Sequence, residues 1–378
     1  MLVTAIPLLV AQRFGAGPEL VGSMALRLLP QIVLSPLAAT LIRKVGARNC
    51  AVAGGAITAV ASVGLVFAQA AWTFHAMVLV IGLADTLTSP ALLVLRASVV
   101  PPGGNMAANT AFQAIDRAAK IFAPPIAAVL FVAIGMAPTL FALSIGHAAA
   151  GVLLFMTARQ VVAESDEEDA ASPFFRDALG MMRAAPVLWA LLLPAFGYMI
   201  TVGALQPFLF WLNQDRFHNG PSMWAVLIAA QGVGTLLGAI MANWIGRRSG
   251  EMGLLLTVYL AASLLEGLTT LALAYMPSHG WAVVMLIVGG VPEMVAFAAY
   301  FTIVQLRLSI ARQALFYALT LPLMDAFALV GIMAGTAYTS GFVTLQQFWI
   351  GAAACAILPV LPFFLLRPAS DGRRKAGG

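Results

Sequence analysis

Nine ionisable side chains interrupt stretches that are otherwise apolar: Arg27, Asp85, Asp116, Arg117, Lys120, His147, Glu266, Glu293 and Asp325. Their chemistry is proton binding and ion pairing rather than bond breaking. An apolar medium disfavours the charged form of a carboxylate. Asp85, Glu293 and Asp325 each lie about midway along an apolar run, and are therefore the candidates to take up and release a proton. Arg27 sits near one end of its run. It can pair with a carboxylate such as Asp325, attract an anionic substrate, or snorkel to the nearer surface. Asp116 and Lys120 stand four apart, the spacing at which helical neighbours pair. That leaves Arg117 as a gate or substrate cation. Glu266 and His147 read mainly as packing groups. Tyr198, Gln206, Phe208, Trp211 and Gln231 are candidates to line a cavity for amphipathic molecules, although aromatic residues near helix ends also form interfacial belts.

No enzymatic constellation is present. The chain lacks the Gly-x-x-x-x-Gly-Lys phosphate loop and the His-Glu-x-x-His zinc pattern. Cys50 and Cys355 are isolated, without disulfide or metal-ligand spacing. The expectation is a protein that is not an enzyme and holds no cofactor or metal, with a proton gradient as its energy source.

The elements that carry these groups are set by composition. The 378 residues are 61% hydrophobic and 9% charged, so little polar surface is available to face water. The apolar runs are 1–12, 20–42, 50–69, 73–95, 107–134, 138–157, 187–212, 222–245, 253–275, 281–304, 314–339 and 345–366. A helix needs about 20 apolar residues to cross ~30 Å of hydrocarbon, and all but the first run reach that length. The runs are apolar on every side, which excludes the alternation of barrel strands. The first run covers only ~18 Å as a helix, and it lacks the basic leader and cleavage site of a signal peptide. It is expected to be a spanning helix shortened at its N-terminal end.

Basic residues orient the spans. Arg43, Lys44, Arg48, Arg96, Arg159, Arg176, Arg183, Arg247, Arg248, Arg307, Arg312, Arg367, Arg373, Arg374 and Lys375 fall on one side, and only Arg13 and Arg216 fall on the other. The positive-inside rule makes the first set cytoplasmic, the C-terminus with it. Arg outnumbers Lys 17 to 3, which fits a GC-rich bacterial genome and hence the inner membrane. The net charge of +5 is confined to connections without a basic aromatic surface, so nucleic acid is not an expected partner.

The middle of the chain breaks the rhythm. Residues 158–186 hold an acidic run (Glu164, Asp166, Glu167, Glu168, Asp169), then Ser172-Pro173 as a helix start. Phe174, Phe175, Leu179 and Met182 share one face of that helix, as expected of a helix lying in the interface. This linker divides a bundle at 1–157 from a second at 187–366, with a cytoplasmic tail at 367–378. The two bundles repeat each other. Gln31, Leu37, Gly46 and Arg48 match Gln231, Leu237, Gly246 and Arg248 at an offset of 200. Gly82 and Asp85 match Gly290 and Glu293 at 208, and Asp116 matches Asp325 at 209. Parallel six-helix repeats related by an axis along the membrane normal have this order.

Two short stretches carry a resemblance. The connection after the second run reads Ala39-Thr40-Leu41-Ile42-Arg43-Lys44-Val45-Gly46-Ala47-Arg48, and the fifth run carries Ala123-Pro124-Pro125-Ile126-Ala127-Ala128. On these residues and the twofold repeat, the chain resembles the major facilitator superfamily over essentially its full length. The family's loop motif is Gly-x-Leu-x-Asp-Arg-x-Gly-Arg-Arg/Lys. Leu41, Lys44, Gly46 and Arg48 fit it, while Ala39 departs and Arg43 replaces the acid that latches the two bundles. The fifth run is similar to the antiporter motif Gly-Pro-x-x-Gly-Gly with each glycine lost, although Ala123, Ala127 and Ala128 keep helix packing close. Leu26 to Pro36 (LRLLPQIVLSP) looks like the second helix of macrolide-efflux and siderophore-exporter antiporters.

The resemblance implies an all-α membrane protein of twelve helices in two six-helix bundles, with helices 1, 4, 7 and 10 around a central cavity. That favours Asp85 and Glu293. It also implies that part of helix 1 lies upstream of Met1, and a monomer in the bilayer whose partner is a small-molecule substrate. The expected function is proton-coupled efflux of small amphipathic compounds. The alternatives are uptake of a metabolite by symport and a transporter-like sensor or assembly partner that does not transport.

Overall fold

A backbone in lipid must satisfy its own hydrogen bonds, and a helix does so within one segment. The computed structural model describes residues 2–99, 133–157, 186–246, 252–308 and 310–365, with positions 115, 119, 122–123, 126–127, 129–131 and 180 between them. Among these the chain is helical apart from short connections. The helices are α1 (Leu2–Phe14), α2 (Pro18–Val45), α3 (Ala47–Phe67), α4 (Ala71–Val99), α5 (Met136–Thr157) and α6 (Pro186–Trp211). They continue with α7 (Pro221–Gly246), α8 (Met252–Ala272), α9 (His279–Arg307), α10 (Ile310–Thr339), α11 (Leu345–Ile357) and the short α12 (Leu361–Leu365). Nine helices among the described residues are long and apolar enough to cross a membrane, and α1 is shorter. The expected linker, apart from Gly180 and Pro186, and the expected tail lie outside the described residues, as does most of the fifth run.

Local chemistry sets the ends. Pro18, Pro186 and Pro221 stand at helix starts, where their missing N–H is an orphan in any case. Thr344 and Gln347 form a reciprocal capping box at α11. The expected loop after the second run shrinks to one residue, Gly46. Its φ of 90° reverses the chain in a conformation that side chains with a Cβ avoid, and its N–H bonds Ile42 O at 2.9 Å.

Packing sorts the helices into two groups. In the first half α4 packs on α2 and α3, and α3 on α5. In the second, α9 packs on α7 and α8, and α6 on α10 and α11. The halves meet through α2 and α10. Their apolar interiors join at the end away from the basic connections: Leu9, Leu20, Phe74 and Leu140 of the first half share one cluster with Trp211, Trp224 and Trp349 of the second. At the basic end each half keeps its own cluster, around Cys50 and Leu95 in one and around Tyr259, Tyr300 and Phe316 in the other. Among the described residues, the halves are thus sealed together at one end only. Outward-facing side chains such as Val60, Ile145 and Ile240 are exposed and apolar, as contact with lipid requires.

Candidate functional site

Two ionisable residues of the first half, Arg27 and Asp85, meet where α2 crosses α4. Gly82 allows the approach, since a Cβ there would lie 2.5 Å from Arg27 O. One turn further along α4, Asp85 Oδ2 accepts from Arg27 Nη2 at 2.8 Å and from Nε at 3.0 Å. The two side chains are 21% and 24% exposed, so the pair is mostly withdrawn from solvent. Of the roles open to Arg27, the structure shows pairing within its own half, with Asp85 rather than Asp325.

The second half repeats the joint with different chemistry. A Cβ on Gly290 of α9 would lie 2.5 Å from Gln231 O of α7, and Gln231 Nε2 donates to Glu293 Oε2 at 3.0 Å. Gly290 and Glu293 correspond to Gly82 and Asp85 at the expected offset of 208. On the crossing helix, Gln231 takes the place of Arg27, an offset of 204 rather than the 200 that pairs it with Gln31. Geometry overrides letter matching there because the carbonyl facing the glycine defines the register. Two further contacts repeat. His75 Nε2 meets Glu19 O and His279 Nε2 meets Met223 O, both at 3.1 Å. Arg13 donates to the carbonyls of Leu65, Val66 and Ala68 at the end of α3, and Arg216 to Ala274 O beyond α8. These guanidinium groups satisfy the last carbonyls of the helices they face.

Between the halves lies a cavity of about 290 Å³. Ser23, Arg27 and Gln31 of α2 and Gln206 of α6 are its polar wall, and Ala328 and Ile332 of α10 part of its apolar wall. Gln206 therefore lines a cavity, as its position suggested. Phe208 lines a separate cavity of about 480 Å³ within the second half, while Trp211 helps to close the sealed end. Phe208 stacks on Trp349 at 3.9 Å, and Trp211 Nε1 crosses between halves to donate to Ala16 O at 2.6 Å.

A third, much smaller chamber lies wholly inside the second half. Its volume is about 20 Å³, and Tyr198, Gln231, Glu266, Thr269 and Glu293 line it. Glu266 is only 8% exposed and shares the chamber with Glu293. The chamber brings Glu266 to Glu293, a neighbour that its reading as a packing group did not specify. The signal was available: Glu266 and Glu293 lie midway along consecutive antiparallel runs, hence at one depth.

Asp325 is half-buried on α10, one turn from Ala328 on the cavity wall, and no hydrogen bond or ion pair from a described residue reaches it. His147 bonds Leu143 O of its own helix at 2.8 Å. In the loop motif, Leu41 is half-buried, Lys44 exposed, and Arg48 lies over the Phe155 ring with Cζ at 4.9 Å. Arg43 continues α2. Ala123 and Ala127 are helical and Ala127 is fully buried. Asp116, Arg117, Lys120, Pro124 and Ala128 lie outside the described residues.

Comparison with known families decides what this architecture is. The model described as Major Facilitator Superfamily matches residues 1–324. The chain belongs to the major facilitator superfamily. Solved structures of the superfamily type share its fold. A point mutant of the nucleoside transporter NupG superposes with a TM-score of 0.73 at 15% identity, covering 96% of this chain and 94% of that one. A POT family transporter in complex with 5-aminolevulinic acid gives 0.73 at 13% identity, with 97% and 92% covered. A bacterial homologue of the human lysosomal transporter Spinster, inward-facing and unoccupied, gives 0.69 at 15% identity, with 96% and 92% covered. No curated protein matches the sequence. This member of the superfamily is a multi-pass membrane transporter whose major-facilitator fold holds the paired residues described above.

Proposed function

We propose that this transporter exports small amphipathic compounds in exchange for protons by rocking its two halves about the central cavity. The observation that carries the reading is the Arg27–Asp85 pair, on α2 and α4, with Arg27 on the wall of that cavity. A proton on Asp85 removes the charge that holds Arg27, so protonation and the shape of the cavity wall are linked. Glu293 and Asp325 are the further proton-coupling candidates, and Arg27, Asp116, Arg117 and Lys120 those for gate or substrate charge. The cavity wall mixes amide, hydroxyl and guanidinium groups with aliphatic carbon, which suits a molecule polar at one end and apolar at the other.

The basic connections support a reading in which the parted end faces the cytoplasm of a bacterial cell, with the C-terminus on the same side. The described arrangement is then inward-facing. A monomer takes substrate from the cytoplasmic side, closes behind it, and releases it outside as a proton enters.

The test is proton flux in energised everted vesicles containing the protein. Lipophilic cations, macrolides and catecholate siderophores are added while the pH gradient is followed. Export by exchange predicts a substrate-dependent collapse of the gradient, lost in Asp85→Asn and reduced in Glu293→Gln or Asp325→Asn. Transport that proceeds in all three variants with an unchanged pH profile would rule the exchange reading out.

A further inference from the structure

At the end away from the basic connections, α6 runs on into a single π-helical turn over Leu212–Arg216, closed by Phe217 N–H on Leu212 O at 3.1 Å. Widened turns of this kind are frequent at functional sites. This one sets two opposite charges, Asp215 and Arg216, on the wall of the cavity of about 480 Å³ within the second half. Tyr338 at the end of α10 and Gln346 at the start of α11 line it too.

Neutral groups hold the two charges. Tyr338 Oη donates to Asp215 Oδ2 at 2.7 Å, and Arg216 Nη1 donates to Ala274 O at 2.6 Å. Both charged side chains are exposed, and among the described residues no ion pair neutralises either of them. Asp215 Oδ1 and Arg216 Nη2 are thus left to meet a ligand. The first half shows what helix capping alone looks like. Arg13 precedes Phe14 as Arg216 precedes Phe217, but Arg13 is half-buried and gives both terminal nitrogens to three carbonyls. Its neighbour is the neutral Gln12, where the second half has Asp215. Capping therefore accounts for Arg13, and not for a half-used guanidinium beside an acid.

The rest of the wall is apolar. Leu345 and Phe208 line the cavity, and Phe208 is backed by Trp349, stacked on it at 3.9 Å. The volume lies in the range of small-molecule sites. A ligand with one charge would satisfy one of the two groups and repel the other. We propose that this cavity binds a zwitterion, with an ammonium on Asp215, an anionic group on Arg216 and an apolar body against Phe208 and Leu345. A free apolar α-amino acid and the headgroup of phosphatidylethanolamine share this chemistry. The site is distinct from the cavity between the halves, and its occupancy is measured without transport.

Titration calorimetry on the purified protein in detergent uses two zwitterionic probes, L-phenylalanine and dihexanoyl phosphatidylethanolamine. The controls are 3-phenylpropionate and phenethylamine, which lack the ammonium and the carboxylate respectively, and dihexanoyl phosphatidylglycerol, which lacks the ammonium. The expected result is saturable binding of a zwitterion, weakened about tenfold or more in Asp215→Asn and in Arg216→Gln. Gln346→Trp keeps both charges and narrows the cavity, and it should weaken binding as well. All three positions are exposed, so each variant should unfold at the parent temperature. Binding of L-phenylalanine identifies a free solute as the ligand, and binding of the lipid alone identifies a headgroup. Failure of both probes to bind overturns the proposal, as does a singly charged control that binds as tightly as its zwitterion. Binding unchanged in all three variants also overturns it. So does binding that is lost in Gln206→Ala and kept in Asp215→Asn, because the ligand would then occupy the cavity between the halves.

Discussion

Arg27 and Asp85 stabilise each other because the two opposite charges meet in a mostly dry setting. Breaking such a pair leaves one charge uncompensated, which costs about 3 kcal/mol or more. Asp85→Asn should therefore lower the thermal unfolding temperature of the purified protein. The double variant Arg27→Gln/Asp85→Asn should recover part of the loss, because no unpaired charge remains. A double variant whose loss is the sum of the two single losses would show that the pair is not coupled. This measurement also separates a folding defect from a coupling defect in the flux test. Asp85 and Glu293 were recognisable in the sequence as mid-run acids. Their partners were not, because the choice between Asp85 and Asp325 for Arg27 depends on which helices cross.

Glycine decides those crossings at the level of the element. Gly82 and Gly290 each bring a carbonyl of the neighbouring helix to where a Cβ would stand. Gly203 and Gly331 do the same between α6 and α10. Gly82→Val and Gly290→Val must separate their helices, with costs on the order of 1–3 kcal/mol from overpacking and further loss from the displaced Arg27 or Gln231 bonds. Both variants are expected to give a sharply reduced yield of monodisperse protein in detergent. Gly146→Ala on α5, where nothing lies within 4 Å of the added Cβ, should behave like the parent protein. Equal yields from all three would contradict the close-crossing account. The apolar runs located these helices because length and hydropathy suffice for that. The register between α2 and α7 shifted by four residues, about one helical turn, because both registers present the same face to the bundle.

At the scale of the whole molecule, the sealed and parted ends are what the proposed alternating access requires. Trp211 reaches across the sealed end to Ala16 O, among Tyr338 and Phe348 of its own half. Trp211→Phe keeps an aromatic ring and removes the N–H, which weakens the seal by about 1 kcal/mol, the net worth of one hydrogen bond. Gln206→Cys places a reporter on the cavity wall, in a background with Cys50 and Cys355 replaced by Ala. An impermeant maleimide should reach this cysteine from the basic side. From the opposite side, labelling should be several-fold faster once Trp211→Phe is added. An unchanged rate there would mean that the indole N–H does not contribute to closure.

Composition and periodicity alone determined that this chain is an all-helical membrane protein, where its helices run, and which loops carry the positive charge. Those properties follow from the cost of polar groups in hydrocarbon, which accrues residue by residue along the chain. The loop and fifth-run motifs added the superfamily. Which charges meet was decided only by the tertiary structure. Arg27 meets Asp85, Gln231 meets Glu293, and Glu266 joins Glu293 in a chamber, because glycines set the distance and rotation of the crossing helices. A one-dimensional pattern locates an acid within a span, but the face it shows to its neighbour depends on how two cylinders pack. Depth is therefore legible in sequence, and partnership is not.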